Sequence, residues 1–231
     1  MPTSAILSDF ASQRQTMVDC QIRTFDVTDQ EVLNRFLDTP REMFVPGSVQ
    51  PLAYSDAPLE IASENGETRC LLTPMVLARM VQGAAVQPGD RVLDVAGGAG
   101  YAAAILAGLA KEVVSLESIA SLSSLAASNF KTLGLNASAV CGPLDASAGV
   151  SGAFDLIFVN GAVEEGLEAL FAKLAPGGRL IAIQRVITDP SGKAGKATRF
   201  DKIAGEPSRR VLFDAAAPVL GAFARRPAFV F

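Results

Sequence analysis

The chain has 231 residues, 49% of them hydrophobic and 19% charged, with a net charge of −4. These values are typical of one or two globular domains, and the acidic balance argues against a general nucleic-acid binder, which needs a basic surface. The sequence contains no histidine, which excludes Ser-His-Asp and Cys-His catalysis and histidine-ligated metals within the chain. Its three cysteines, Cys20, Cys70 and Cys141, are far apart, so we expect neither a disulfide framework nor a metal site. Because neither a signal peptide nor an apolar run of about 18 residues is visible, we expect a cytoplasmic protein with no membrane partner.

The N-terminal part of the sequence predicts helices followed by an irregular segment. Residues 8–40 have a helical pattern, within which residues 28–31 (TDQE) match a capping box led by Thr28. Residues 44–72 are interrupted by several prolines and glycines and are predicted to be irregular. The pair Thr73 and Pro74 predicts the start of a further helix, with proline at its first position.

From residue 88 onward, the pattern predicts alternating strands and helices. The predicted strands are residues 91–95, 113–116, 137–141, 154–159 and 179–184, and the predicted helices are 101–110, 119–133 and 164–174. This alternation predicts an α/β fold with a mostly parallel sheet covered on both faces. The C-terminal part predicts short strands at 198–203, 209–213 and 223–231 with no helices between them. These strands are expected to be antiparallel and to extend one edge of the sheet.

The clearest signal for a binding site is a glycine-rich turn within residues 92–101 (VLDVAGGAGY). A glycine loop between a strand and a helix lets backbone amides approach a ligand, and Glu117 follows at the end of the next strand, where a carboxylate can accept both ribose hydroxyls of a nucleoside. Gly98 and Gly100 fit a dinucleotide pattern, whereas an acidic residue ahead of the glycines, here Asp94, indicates S-adenosylmethionine. The remaining alternative is that the glycines only form a tight turn.

Several segments resemble the protein-L-isoaspartate O-methyltransferase family, a class I S-adenosylmethionine-dependent group. The segments are residues 17–23 (MVDCQIR), 40–46 (PREMFVP), 53–59 (AYSDAPL), the glycine loop, 154–159 (FDLIFV) and 176–180 (PGGRL). The resemblance covers residues 14–60 and 74–185. It implies a Rossmann-like methyltransferase domain over residues 73–231, with a mostly parallel sheet and an antiparallel C-terminal edge. Residues 1–72 would form an N-terminal helical extension and capping loop in the same globule.

The same resemblance implies which residues bind S-adenosylmethionine, with no metal. They are Asp94, Ala96, Gly97, Gly98, Gly100, Glu117, Gly142, Pro143, Leu144 and Asn160. Two positions depart from the family pattern. Ala96 replaces the first loop glycine, which is tolerable if Ala96 keeps a negative φ. Residues 142–144 (GPL) stand where the family has GDG, so the aspartate that could bind the adenine amino group is absent.

The segment linked to catalysis in the family is also altered. The family has GQTISQP, and its serine is the residue linked to catalysis, whereas residues 66–74 of this chain read GETRCLLTP. Either Leu72 or Cys70 takes the place of the serine, depending on the alignment; leucine offers no hydrogen bond, and cysteine offers only a weak one. We therefore assign no catalytic residue and retain Cys70 and Arg69 as candidates. Arg69 would attract an acceptor carboxylate, whereas Cys70 is better interpreted as a half-buried hydrophobic residue, since no base is available to activate it.

The absence of histidine is compatible with methyl transfer to a carboxylate. Such an acceptor is already ionised at neutral pH and needs no general base. The resemblance implies methyl esterification of isoaspartyl residues in damaged proteins, so the expected partner is a protein, a peptide or a small carboxylate. The alternatives are a protein that binds S-adenosylmethionine without catalysis and a methyltransferase with another acceptor. A dinucleotide oxidoreductase is disfavoured because the sequence shows no proton relay. The sequence does not predict the oligomeric state.

Overall fold

The computed structural model describes residues 3–64, 66–145, 149–189 and 191–225, and within them the side chains from residue 9 onward. The helices are α1 Thr3–Met17, α2 Gln30–Asp38, α3 Pro74–Ala84, α4 Tyr101–Ala107, α5 Ala120–Leu133 and α6 Glu168–Ala172. The strands are β1 Leu59–Glu64, β2 Glu67–Leu71, β3 Arg91–Val95, β4 Glu112–Glu117, β5 Ala137–Cys141, β6 Phe154–Val163, β7 Leu174–Arg185, β8 Gly195–Ile203 and β9 Glu206–Ala215. Among the described helices, none has both the length and the apolar character needed to cross a membrane.

Strands β3 to β9 form one mixed sheet in the order β5-β4-β3-β6-β7-β8-β9. Neighbours from β5 to β7 are parallel, and β8 and β9 are added antiparallel at one edge. This arrangement confirms the predicted α/β fold with an antiparallel C-terminal edge. In an open parallel sheet, ligands bind beyond the carboxyl ends of the strands, which here are the ends of β3, β4, β5 and β6.

Alternate residues of the central strands face two different hydrophobic clusters. Val92 and Leu156 belong to a cluster that includes residues from α2 to α5 and from the N-terminal segments. Leu93 and Ile157 belong to a second cluster, which includes Leu170 of α6. This two-residue period is that of a strand buried on both faces, as the apolar runs predicted.

The start of α2 differs by one residue from the predicted capping box. Asp29, not Thr28, is the N-cap, and its carboxylate accepts hydrogen bonds from the amides of Glu31 and Val32 at 2.9 and 3.2 Å. The Thr28 amide instead donates to the side-chain oxygen of Gln82 on α3. The prediction for α3 is confirmed, since Thr73 caps the helix and Pro74 is its first residue.

The segment predicted to be irregular contains a hairpin. Within residues 44–72, β1 and β2 pair antiparallel, with Leu59 opposite Leu71. Because alternate residues of a strand face the same side, Leu59 and Ile61 of β1 are buried together with Arg69 and Leu71 of β2. The prediction of an irregular segment is therefore wrong for residues 59–71.

The predicted helix 164–174 is much shorter in the structure. Strand β6 continues to Val163, and α6 begins only at Glu168. The reason is a set of backbone hydrogen bonds with the C-terminal segment, since the amides of Glu164 and Glu165 donate to the carbonyl of Phe223 at 3.0 and 3.1 Å. These long-range bonds engage the two amides in a bend after β6, so the helix starts later.

Other boundaries also differ from the predicted ones. Strand β7 begins at Leu174, well ahead of the predicted strand 179–184, and therefore includes Pro176. Within the predicted strand 223–231, Phe223 ends a 3-10 turn, and residues 226–231 lie outside the described part of the chain. The predicted helix 101–110 ends earlier, at Ala107.

Candidate functional site

The glycine loop joins the carboxyl end of β3 to the start of α4 at residues 96–100. The amides of Ala96 and Gly97 both donate to the carbonyl of Leu116 in β4, at 2.9 and 3.4 Å. Ala96 has a φ of +56°, as does Gly98, and Gly100 has a φ of +96°. The condition under which the alanine would be tolerated without strain, a negative φ, is therefore not met. The loop holds this alanine in the left-handed region, which costs a non-glycine residue about 1–2 kcal/mol.

Glu117 lies at the end of β4 and contacts the loop directly. Its side chain is almost fully buried, and its Oε2 accepts a hydrogen bond from the Gly98 amide at 2.9 Å. Its Oε1 accepts from the Ile119 amide at 3.0 Å. The structure thus brings together the carboxylate and the loop glycine that the sequence predicted to share one ligand.

Asp94 lies near the carboxyl end of β3, next to Gly97 of the loop. It is fully buried and accepts hydrogen bonds from Ser115 Oγ at 3.0 Å and from Asn160 Nδ2 at 2.6 Å. Burial raises the pKa of Asp94 to about 7, although both hydrogen bonds act to lower it. A Cβ atom on Gly97 would lie 2.3 Å from Asp94 Oδ2 and 2.1 Å from Ser115 Oγ, so this position requires glycine. Ser115 was not predicted from the sequence, where its signal is a single hydroxyl within an apolar strand.

Residues 142–144 follow β5 and lie next to the end of β4. The Gly142 amide donates to the Glu117 carbonyl at 3.0 Å. Pro143 is exposed, whereas Leu144 is buried against the same cluster as Ala96. The structure therefore places Gly142 beside Glu117, and the contact of all three residues with a cofactor stays a prediction.

The β1–β2 hairpin covers the loop and brings Arg69 onto Glu117. Arg69 is only 2% exposed, and its Nε lies 3.0 Å from Glu117 Oε1. Its Nη2 donates to Glu67 and to Ser118 Oγ, each at 2.6 Å, and its Nη1 donates to the Thr68 carbonyl. All three guanidinium nitrogens are thus used within the chain. The predicted role of Arg69 toward an acceptor carboxylate would require this network to open.

The two residues that could replace the family serine lie in different surroundings. Cys70 is half-buried opposite Glu60, and burial raises the pKa of its thiol, as does the Glu60 charge. A protonated thiol is a poor nucleophile. Leu72 is buried, and its carbonyl accepts from Nη2 of Arg41 at 2.8 Å. Arg41 lies in the family-like segment 40–46, and its role was not predicted. It is fully buried and also donates to the Ala53 carbonyl at 2.7 Å.

Comparisons with known proteins agree with the family resemblance. A family model described as protein-L-isoaspartate(D-aspartate) O-methyltransferase matches residues 12–210. A protein-L-isoaspartate O-methyltransferase from Koribacter versatilis is 40% identical over 184 residues, which are 78% of this chain and 80% of that protein. One from Methylorubrum extorquens is 38% identical over 173 residues, covering 75% of this chain and 74% of the relative.

Solved structures show the same architecture. A structure titled protein-L-isoaspartate O-methyltransferase superposes with a TM-score of 0.77 at 26% identity, covering 90% of this chain and 66% of the other. A putative protein-L-isoaspartate O-methyltransferase from Plasmodium falciparum, in complex with S-adenosyl-L-homocysteine, has a TM-score of 0.73 at 21% identity, covering 92% and 98%. The second likeness concerns the fold alone. Taken with the family model and the relatives, these matches place the chain in the protein-L-isoaspartate O-methyltransferase family.

Proposed function

We propose that the chain is an S-adenosylmethionine-dependent methyltransferase that esterifies the carboxylate of isoaspartyl residues in proteins or peptides. The observation that carries the proposal is the contact between the buried Glu117 carboxylate and the Gly98 amide at the carboxyl edge of the sheet. This is the arrangement that binds a nucleoside in open α/β folds. The acceptor is inferred from the names of the relatives.

The residues around the glycine loop have the chemistry that S-adenosylmethionine needs. The Glu117 carboxylate is the proposed acceptor for the two ribose hydroxyls, and the loop at residues 96–100 supplies backbone groups for close approach. Asp94 lies against Gly97 of the loop and is bound by Asn160 and Ser115 on the two neighbouring strands. Residues 142–144 are proposed for the adenine, through backbone groups in the absence of an aspartate. When bound, the cofactor supplies an electrophilic methyl group.

On the acceptor side the chain has to align a group that is already reactive. A carboxylate with an ordinary pKa near 4 is ionised at neutral pH, so no base has to remove a proton. Rate enhancement then comes from holding the carboxylate oxygen in line with the methyl group and from excluding water. A chain that lacks the family serine and all histidines can meet these requirements.

The test is transfer of labelled methyl groups from S-adenosylmethionine to an isoaspartyl peptide and to its normal aspartyl twin. We expect base-labile label on the isoaspartyl peptide only. Glu117→Gln should abolish transfer and weaken S-adenosylhomocysteine binding. The matched control is Glu112→Gln at the opposite end of β4, where Glu112 is 43% exposed and paired with Arg91; this variant should keep both properties. If the wild type binds S-adenosylhomocysteine but labels neither peptide, the isoaspartyl assignment is wrong and another acceptor, or a binder without catalysis, replaces it.

A further inference from the structure

The hairpin residue Arg69 is paired with Glu117, the carboxylate that we propose for the ribose. Arg69 and Glu117 form an ion pair of 3.0 Å in which the side chains are 2% and 1% exposed. The family segment has isoleucine where this chain, aligned forward from Gly66, has Arg69. The residue that forms the ion pair is therefore one at which this chain differs from the family segment.

The Glu117 carboxylate has little capacity left for another donor. An ionised carboxylate offers about four acceptor sites, two on each oxygen. Oε1 accepts from Arg69 Nε at 3.0 Å and from the Ile119 amide at 3.0 Å. Oε2 accepts from the Gly98 amide at 2.9 Å and lies 3.2 Å from Arg69 Nε, whose single hydrogen is shared between the two oxygens. Ser118 Oγ also lies 3.4 Å from Oε1. Two ribose hydroxyls can therefore be accepted only after Arg69 has moved away.

The hairpin also takes the space above the glycine loop. Ile61 lies over Gly98, with its Cδ1 2.6 Å from the point that a Cβ atom of residue 98 would occupy. The cavity that remains between the hairpin and the loop, lined by residues that include Ile61, Leu72, Gly98 and Asn160, measures about 10 Å³. Small-molecule pockets typically measure about 300–1,000 Å³. Independently of the ion pair, the hairpin has to move before a nucleoside can enter.

Additional contacts near the tip hold the hairpin against α5 and the loop before it. Glu67 accepts from Ser118 Oγ at 2.7 Å, and Glu64 accepts from Ser121 Oγ at 2.6 Å. Hydrogen bonding from Ser118 and then from Arg69 lowers the pKa of Glu67. Glu67 is 37% exposed, so this outer contact is open to water, unlike the buried pair beneath it.

From these contacts we propose that the β1–β2 hairpin is a self-inhibitory lid, in which Arg69 occupies the ribose-binding carboxylate and must be displaced for S-adenosylmethionine to bind. This inference rests on the proposed function in taking S-adenosylmethionine as the ligand. The binding-competent state is a minor one, and its population reduces the apparent affinity for the cofactor. Loss of the arginine raises that population.

The test is calorimetric titration of the full chain with S-adenosylhomocysteine, together with thermal unfolding. Arg69→Met should bind about tenfold more tightly than the wild type, and Arg69→Lys should fall between them. Without ligand, Arg69→Met should unfold at a lower temperature, but the ligand should raise its unfolding temperature by more than it raises that of the wild type. Ile61→Ala tests the same proposal without touching the ion pair and should also bind more tightly. The control is Thr68→Val, next to Arg69 on the exposed side of β2, which should leave the affinity unchanged.

Unchanged or weaker binding by both Arg69→Met and Ile61→Ala would overturn the lid. Unchanged binding would make Arg69 a structural residue, and weaker binding would make it part of the cofactor site. Absence of binding by all variants would overturn it as well. The proposed function is tested separately, in the peptide assay. If Arg69→Met binds more tightly but the isoaspartyl peptide is not labelled, the proposed lid is supported and the proposed acceptor is wrong.

Discussion

The buried carboxyl group of Asp94 makes the stability of the protein depend on pH in a window where few other groups titrate. Burial raises its pKa from the ordinary 3.8 to about 7, while in the unfolded chain the group ionises near its ordinary value. Between these two values the folded state binds the proton more tightly than the unfolded state. The stabilising effect of the protonated form is therefore complete below pH 4 and is lost as the pH rises toward 7. A difference of about 3 pKa units corresponds to about 4 kcal/mol.

Asp94→Asn removes this dependence with little change of shape. Asn160 can still donate to the oxygen of residue 94, and the hydroxyl of Ser115 can accept from the new amide instead of donating. As the pH rises, the wild type loses this stabilisation and the variant does not. The free energy of unfolding of the variant minus that of the wild type should therefore increase by about 3 kcal/mol from pH 5 to pH 8. Urea denaturation followed by circular dichroism at several pH values measures it. The control is Asp38→Asn on α2, where Asp38 is 60% exposed. A relative stability of Asp94→Asn that stays constant over this range would refute the reasoning.

Two further substitutions test the packing around the site. Gly98→Ala should lower the free energy of unfolding by at least about 1–2 kcal/mol, because residue 98 has a φ of +56° and its Cβ would meet Ile61; an unchanged urea midpoint would contradict this. Arg179→Met should cost about 3–5 kcal/mol, since it leaves the buried Asp90 carboxylate without its partner at 2.6 Å. A thermal unfolding temperature close to that of the wild type would contradict the second prediction.

The central sheet and the glycine loop were predictable because their signals are local. Strands β3 and β5 have the predicted bounds, since short apolar runs next to glycines leave few alternatives. The end of α5 was predictable from Gly134, which adopts the left-handed conformation that ends many helices. Glu117 could be assigned to the site because parallel strands bring their carboxyl ends to one edge.

The hairpin and the segment after β6 could not be predicted, because their structure depends on distant partners. Arg69 has a charged side chain in the middle of a strand, and its burial depends on Glu117, a partner 48 residues away with which it forms a buried ion pair. Without this partner, the sequence of β2 does not predict a buried strand. In the same way, the amides of Glu164 and Glu165 donate to the carbonyl of Phe223, so a local helical preference is overridden by tertiary contacts.

The base of the hairpin determines what can move with Arg69. Arg41 is fully buried and donates to the carbonyls of Ala53 and Leu72, which lie on either side of the hairpin in the sequence. Breaking these bonds would leave buried carbonyls unpaired and a buried charge with fewer partners, which is costly. Opening is therefore confined to the residues between these anchors, so Leu72 stays in place while Cys70 moves with Arg69. Of the two residues that could stand where the family has serine, Cys70 therefore moves with the proposed lid, whereas the backbone of Leu72 is held by Arg41.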